Sequence, residues 1–131
     1  MAAKAVEAVT AAMVRHADAV AVQEAGSYAL HSICYNHQDN ETRAGAAGAV
    51  EAVTATMVRH VGEARVQEAG CRALESLCFS TQVNQARAWA AGAVEAVMAA
   101  LVRHAHVVGI QEVGCKALWP ICVARPFYEA N

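Results

Sequence analysis

The chain repeats itself every 44 residues, and this period restricts the fold more than any other property of the sequence. The segment Ala-Gly-Ala-Val-Glu-Ala-Val at Ala47–Val53 returns unchanged at Ala91–Val97, and a close relative of it occupies Ala3–Val9. Self-similarity at a fixed period of this size is typical of stacked helical arrays, in which each unit contacts only its neighbours. Such arrays build extended surfaces for other proteins more often than the closed pockets that catalysis needs.

The repeat extends through most of each unit without a gap. Its other recurring positions are a Val-Arg-His segment, a Gln-Glu-x-Gly segment and a cysteine, which fall at His16, His60 and His104, at Gln23, Gln67 and Gln111, and at Cys34, Cys78 and Cys122. We therefore expect one domain over 1–131, with units at 1–46, 47–90 and 91–122 and a tail at 123–131. The first unit starts without the short helix that opens the others.

Apolar spacing within the second unit predicts helices. Val50, Val53 and Met57 share one helix face, which indicates a helix over 49–60. A longer helix is expected over 64–79, followed by a loop at 80–84 and a short helix over 85–91 that leads into the next unit. Each unit thus reads as short helix, helix, longer helix, and the fold class is all-α. Gly70 within the longer helix costs about 1 kcal/mol relative to Ala, which predicts a second backbone close to it.

Composition limits the partners and the compartment. Hydrophobic residues make up 56% of the chain but aromatic residues only 5%, because Ala and Val dominate. The net charge of −2 gives no basic field for nucleic acid. Charged residues or histidine interrupt every apolar run, so no membrane span is expected. We expect an intracellular, reducing compartment, the cytoplasm by default or an organelle if a targeting segment has been removed.

The five cysteines are predicted to be small buried hydrophobic residues in a reduced chain. Equivalent helices in stacked units lie roughly 8–10 Å apart, whereas a disulfide needs Cα atoms within about 7 Å. Cys34 has equivalents without neighbouring histidines, so packing explains it better than a catalytic pairing with His31 or His37. The His16 ladder is likewise too widely spaced for one metal ion, and a role at helix C-termini is simpler. No catalytic, cofactor or metal residue is predicted.

The three-helix unit resembles an armadillo repeat. The residues that carry the resemblance are Gly-Ala-Val-Glu-Ala-Val in the second helix and Val-Gln-Glu-Ala-Gly-Cys-Arg-Ala-Leu-Glu-Ser-Leu-Cys in the third. The resemblance implies a right-handed α-solenoid whose third helices line a concave groove for extended partner segments. The Asn that holds a peptide backbone in that family corresponds to Ser32, Ser76 and Pro120. The flanking Trp corresponds to Tyr28, Arg72 and Lys116. No Asn is kept, so importin-like peptide recognition is not expected.

The outward positions of the third helices vary between units inside a nearly constant frame. Such variation is expected of a specific contact surface, and aromatic and Arg side chains commonly anchor interfaces; solvated positions that have drifted would look similar. The predicted partner-binding residues are Glu24, Tyr28, His31, Tyr35, Glu68, Arg72, Glu75, Phe79, Glu112, Lys116 and Trp119.

The ends of the array suggest a second class of function. Neither end carries the polar cap that terminal repeats normally have. Proline inside a helix costs about 3 kcal/mol, so the last helix is expected to kink or stop near Trp119 at Pro120. The apolar tail from Val123 then folds back as a lid or docks elsewhere. We thus expect a non-enzymatic adaptor or scaffold. The alternative is a structural subunit held in a larger assembly by its ends and tail, or a self-associating fragment of a longer array.

Overall fold

The computed structural model describes residues 2–123, with side chains from Lys4 onward. This part of the chain forms eight helices and no strand, which confirms the predicted all-α class. None of these helices is both long and apolar enough to cross a membrane. The predicted tail at 123–131 lies outside the described residues except for Val123. The helices are α1 (Ala2–Arg15), α2 (Val20–Cys34), α3 (Gln38–Ala46), α4 (Ala49–Arg59), α5 (Ala64–Cys78), α6 (Gln82–Ala91), α7 (Ala93–Arg103) and α8 (Val108–Val123).

Helices at equivalent sequence positions are neighbours in space. α5 packs against α2 on one side and α8 on the other, and α4 contacts both α1 and α7. Each long helix also packs on the helix before it, in the pairs α1 with α2, α4 with α5 and α7 with α8. The short helices α3 and α6 contact each other and help to cover the pairs. The equivalent helices therefore form two rows, α1–α4–α7 and α2–α5–α8.

A single hydrophobic cluster connects these helices from α1 to α8. Alanine and valine are its most frequent residues, and such small side chains allow the helices to approach closely. Among the described aromatic residues, Trp89 packs partly against the cluster, whereas Tyr28, Tyr35, Phe79 and Trp119 are exposed. The largest hydrophobic side chains that are fully buried are Met13, Leu30, Met57, Leu74, Leu77, Ile110 and Ile121.

The predicted loop at 80–84 is too long, because α6 already begins at Gln82. Its first turn carries two buried amides that point back at the end of α5. Asn84 Nδ2 donates to the Leu77 carbonyl and Gln85 Nε2 to the Cys78 carbonyl, each at 2.8 Å. The last carbonyls of a helix have no intrahelical partner and need such donors. Asn84 is therefore helical and not part of the predicted loop, and it caps the preceding helix together with Gln85, which begins the predicted short helix.

The last helix was predicted to kink or stop near Trp119, and the stop is wrong, since α8 continues through Pro120 to Val123. Pro120 lacks an N–H and cannot donate to the carbonyl one turn earlier. Two observations offset this loss. Pro120 and Ile121 are both buried, and the indole Nε1 of Trp89 donates to the Ile121 carbonyl at 2.7 Å. Packing and this hydrogen bond hold the last turn in helical form.

The glycine within each long helix is indeed a close-contact position, but its neighbour is a side chain and not the predicted backbone. A Cβ built on Gly70 would lie 2.6 Å from Met57 Cγ, a distance that real Cβ atoms do not tolerate. Gly26 meets Met13 in the same way, and Gly114 meets Leu101. The glycine therefore makes room for the large side chain that ends the buried stripe of the preceding helix.

The histidine ladder links neighbouring units. The ring Nε2 of His60 lies 2.8 Å from the Ala17 carbonyl, and that of His104 lies 2.7 Å from the Val61 carbonyl. A carbonyl can only accept, so Nε2 carries the hydrogen in both cases. The predicted role at helix C-termini is thus incomplete, because these rings reach the turn of the preceding unit.

Candidate functional site

The row α2–α5–α8 carries all the predicted partner-binding residues except Tyr35 and Phe79, which directly follow α2 and α5. A glutamine anchors each of these helices, buried in α2 and α5 and partly exposed in α8. In α5, Gln67 Nε2 donates to the carbonyls of both Met57 and His60, at 3.1 and 2.8 Å. Gln23 and Gln111 make the equivalent pairs of bonds with the ends of α1 and α7. The repeated glutamine thus donates to two carbonyls at the end of the preceding helix and fixes the orientation of each long helix relative to that helix. The repeat marks this glutamine in the sequence, but its role depends on carbonyls that only the fold brings near.

None of the eleven predicted residues is buried. Tyr35 and Phe79 are each 62% exposed and Trp119 is 74% exposed, which is unusual for large apolar side chains. Tyr28 is 36% exposed. The exposed set also includes Glu112 and Lys116, and the half-exposed set consists of Glu24, His31, Glu68, Arg72 and Glu75.

His31 ties the first unit to the second instead of pointing freely outward. Its Nδ1 lies 2.6 Å from Ser76 Oγ and 3.3 Å from the Arg72 carbonyl, both in α5. Its ring also contacts Tyr35, with 5.5 Å between the ring centroids. Ser76 is the position that corresponds to the family's Asn, and it is buried and engaged by His31. His31 therefore links α2 to α5 and lies against the ring of Tyr35.

A cleft opens between the C-terminal ends of α2 and α5. It has a volume of about 120 Å³ and is lined by Tyr35, Asn36, Glu75, Ser76 and Phe79. Asn36 takes a left-handed backbone conformation, with φ of 56°, and so reverses the chain after Tyr35. The two exposed aromatic rings and one carboxylate are therefore brought to the same cleft from residues that are far apart in sequence.

The charges along this row are mostly paired with each other. Arg72 lies 3.5 Å from Glu68, and Lys116 lies 3.5 Å from Glu112. Such partly exposed pairs contribute typically below about 1 kcal/mol and are easily exchanged for others. Glu75 differs, because within the described part of the chain it takes part in no ion pair. It therefore gives the cleft a carboxylate that is not already neutralised.

Glu41 also supports this region, although no sequence pattern points to it. It is only 1% exposed, and its carboxylate accepts from Ser80 N, Ser80 Oγ and Thr81 Oγ1 at 3.0–3.2 Å. These bonds hold the segment directly after Phe79. The available signal was the hydroxyl pair Ser80-Thr81, which supplies donors at a helix end, but nothing in the sequence identified Glu41 as its acceptor.

The candidate catalytic residues Cys34, His31 and His37 each contact a different group. Cys34 is buried, its thiol donates to the Asn40 carbonyl at 3.6 Å, and burial together with Glu41 raises its pKa to about 12. His37 Nδ1 accepts from the Asn40 N–H, and His31 faces α5. Among the described residues, no group of three or more His, Cys, Asp or Glu could hold a metal ion.

The cysteines are all free, but the prediction that they are buried is wrong for two of them. Cys34, Cys71 and Cys78 are buried, whereas Cys115 and Cys122 are exposed. Both exposed thiols lie on α8, which has no successor among the described helices. Exposure at this position therefore depends on whether a neighbouring unit follows.

Comparison with protein-family models, with curated proteins and with solved structures finds no match for this chain. The resemblance to armadillo repeats therefore depends on the residues of the chain itself.

Proposed function

We propose that the chain is a right-handed α-solenoid of armadillo type that acts as a non-enzymatic protein-interaction module. Its partner binds across the row α2–α5–α8, which would be the concave face of such a solenoid. The 44-residue period supports the architecture, as does the contact of each helix with its sequence equivalents. The five free thiols are consistent with the reducing intracellular compartment that we propose for it.

The cleft between Tyr35 and Phe79 is the observation that carries this proposal. Large aromatic side chains left exposed on both sides of a cleft are typical anchors of a protein interface. The carboxylate of Glu75 adds a negative charge that forms no ion pair within residues 4–123. We therefore infer that the partner inserts an apolar side chain between the two rings and places a Lys or Arg beside Glu75.

The proposal can be tested with a displayed library of random peptides, selected against the immobilised chain and then measured in solution. We expect selected sequences to combine an apolar residue with a nearby basic residue. Tyr35→Ala and Phe79→Ala should each weaken binding at least tenfold, and Glu75→Gln should weaken it with a reduced salt dependence. Val58→Ala is the matched control, because Val58 is equally exposed but lies on α4.

Two results would contradict the proposal. One is selected peptides that bind the Tyr35 and Phe79 variants as tightly as the original chain. The other is binding that Val58→Ala abolishes while the cleft variants retain it. Either result would mean that the partner binds outside the row α2–α5–α8.

A further inference from the structure

Residues at equivalent positions of the three units differ in solvent exposure. The difference depends on whether an equivalent helix precedes or follows their own helix. Ala25 in α2 is exposed, whereas its equivalents Ala69 and Val113 are buried in α5 and α8. Ala12 in α1 is also exposed, and its equivalents are buried in α4 and α7, as Thr56 and Ala100. A residue at one of these positions is buried when an equivalent helix precedes its own helix in the chain. It is exposed when no equivalent helix precedes it among the described residues.

The opposite pattern holds on the other side. Cys115 in α8 is exposed, but its equivalents Ser27 and Cys71 are buried in α2 and α5. Met98 in α7 is 54% exposed, whereas the equivalent Thr10 and Thr54 are buried in α1 and α4. These side chains are covered wherever an equivalent helix comes next. We call the surface around Ala12 and Ala25 the leading face, and that around Met98 and Cys115 the trailing face.

A leading face already meets a trailing face twice within the chain. The second unit lies on the first, and the third lies on the second, with the same helices in contact each time. A histidine hydrogen bond marks each of these contacts, from His60 to the Ala17 carbonyl and from His104 to the Val61 carbonyl. Two equivalent groups do not take part in such a bond within the described chain. They are the ring of His16, which is exposed, and the carbonyl of Ala105.

We propose that a second copy of this chain stacks head to tail, with the leading face of one copy on the trailing face of the other. The contact continues the one between α2 and α5 and between α5 and α8, so its shape and its polar bond already exist in the molecule. It joins two different faces, which makes it heterologous, so assembly does not stop at a symmetric dimer. It uses a surface separate from the cleft at Tyr35 and Phe79.

Association between copies is weaker than stacking within one chain, because it costs translational and rotational freedom. We therefore expect monomers at low micromolar concentration and a growing average mass at high micromolar concentration. Sedimentation velocity over a concentration series measures this. The thiol of Cys115 should also react more slowly with a maleimide as the concentration rises, because the second copy covers it.

Two charge-introducing variants make the geometry testable. Ala25→Arg blocks the leading face and Cys115→Arg blocks the trailing face, so each protein alone should remain monomeric. An equimolar mixture should form a heterodimer and nothing larger, since one intact face of each kind remains. Ala11→Arg is the matched control, because Ala11 and its equivalents Ala55 and Ala99 are exposed in all three units. It should assemble like the original chain.

Thermal unfolding of each variant checks that an unchanged mass does not reflect misfolding, and the three positions are exposed in the monomer. A chain that stays monomeric at every concentration would overturn the proposal. So would an assembling Ala25→Arg protein or a mixture that remains monomeric. Tyr35→Ala and Phe79→Ala should leave assembly unchanged, so failure here is distinguishable from failure of the partner-binding proposal.

Discussion

Gln67 Nε2 donates to the carbonyl of His60 at 2.8 Å, across the turn that separates α4 from α5. The same amide nitrogen donates to Met57 O, and the side chain of Gln67 is fully buried. The bond to Met57 therefore joins the end of one helix to the interior of the next where water cannot substitute. Its recurrence at Gln23 and Gln111 makes it part of the frame of every unit.

Replacing Gln67 by Met should destabilise the chain by about 1–3 kcal/mol, because it leaves the buried Met57 carbonyl without a donor at little change in volume. The His60 carbonyl keeps the N–H of Glu63 as a donor. Urea denaturation measures the difference. Gln111→Met is the matched control, since Gln111 makes the same two bonds but is partly exposed, so that water can replace the amide. Equal losses in the two variants would contradict the argument that burial sets the cost.

Gly70→Ala should destabilise the chain by about 1–3 kcal/mol, because the new methyl group would overlap Met57. This outcome opposes helix propensity, which favours Ala over Gly by about 1 kcal/mol. Gly109→Ala is the control, since its Cβ would meet Glu68 only at ordinary contact distance, and it should be neutral or stabilising. In a Met57→Ala background, Gly70→Ala should lose its penalty; a penalty that persists there would point to the backbone instead.

These glycines show what a sequence of this kind can and cannot predict. The 44-residue period located Gly70 and its equivalents as close-contact positions, and apolar spacing predicted α4 and α5 to within a residue or two. The period could not identify Met57 as the neighbour, because contacts between helices depend on how their axes cross. The prediction of a loop at Asn84 is wrong for a related reason, since its polar side chain binds a carbonyl that only the fold brings near.

The candidate site was predictable in the same partial way. Position within the unit identified the outward residues, and none of them is buried. It could not show that His31 is held by Ser76 while Tyr35 and Phe79 flank a common cleft. Equivalent positions also differ in exposure according to their neighbours, as Cys71 and Cys115 show. Repeat symmetry predicts the frame of each unit, whereas the faces left uncovered are a property of the whole array.

The cysteines should divide into two reactive and three unreactive thiols when the dilute protein is treated with a thiol reagent near neutral pH. Cys115 and Cys122 are exposed, whereas burial raises the pKa of Cys34, Cys71 and Cys78 to about 12 and keeps them protonated. Thiolate is the reacting form, so the buried thiols lack both access and charge. All five should react in denaturant, and Cys115→Ala or Cys122→Ala should each remove one fast equivalent. Three or more fast equivalents in the native protein would contradict the packing described.

The buried thiols should also make the chain less stable at alkaline pH. For Cys78 the pKa rises from its ordinary 9.0 to about 12, first through burial and then through the charges of Glu41 and Glu51. Below pH 9 this thiol is protonated in both states and its contribution is constant. Above pH 9 it ionises in the unfolded chain while remaining protonated in the folded one, so unfolding becomes easier by roughly 1.4 kcal/mol per pH unit.

Cys78→Ala isolates this effect from other groups that titrate in the same range. Urea denaturation of both proteins should give a constant difference in unfolding free energy from pH 6 to 8, set by the lost packing of the thiol. Above pH 9 the difference should shrink as the original chain loses its advantage, until pH approaches 12. Two curves that stay parallel through pH 10.5 would mean that Cys78 is accessible to water in the folded protein.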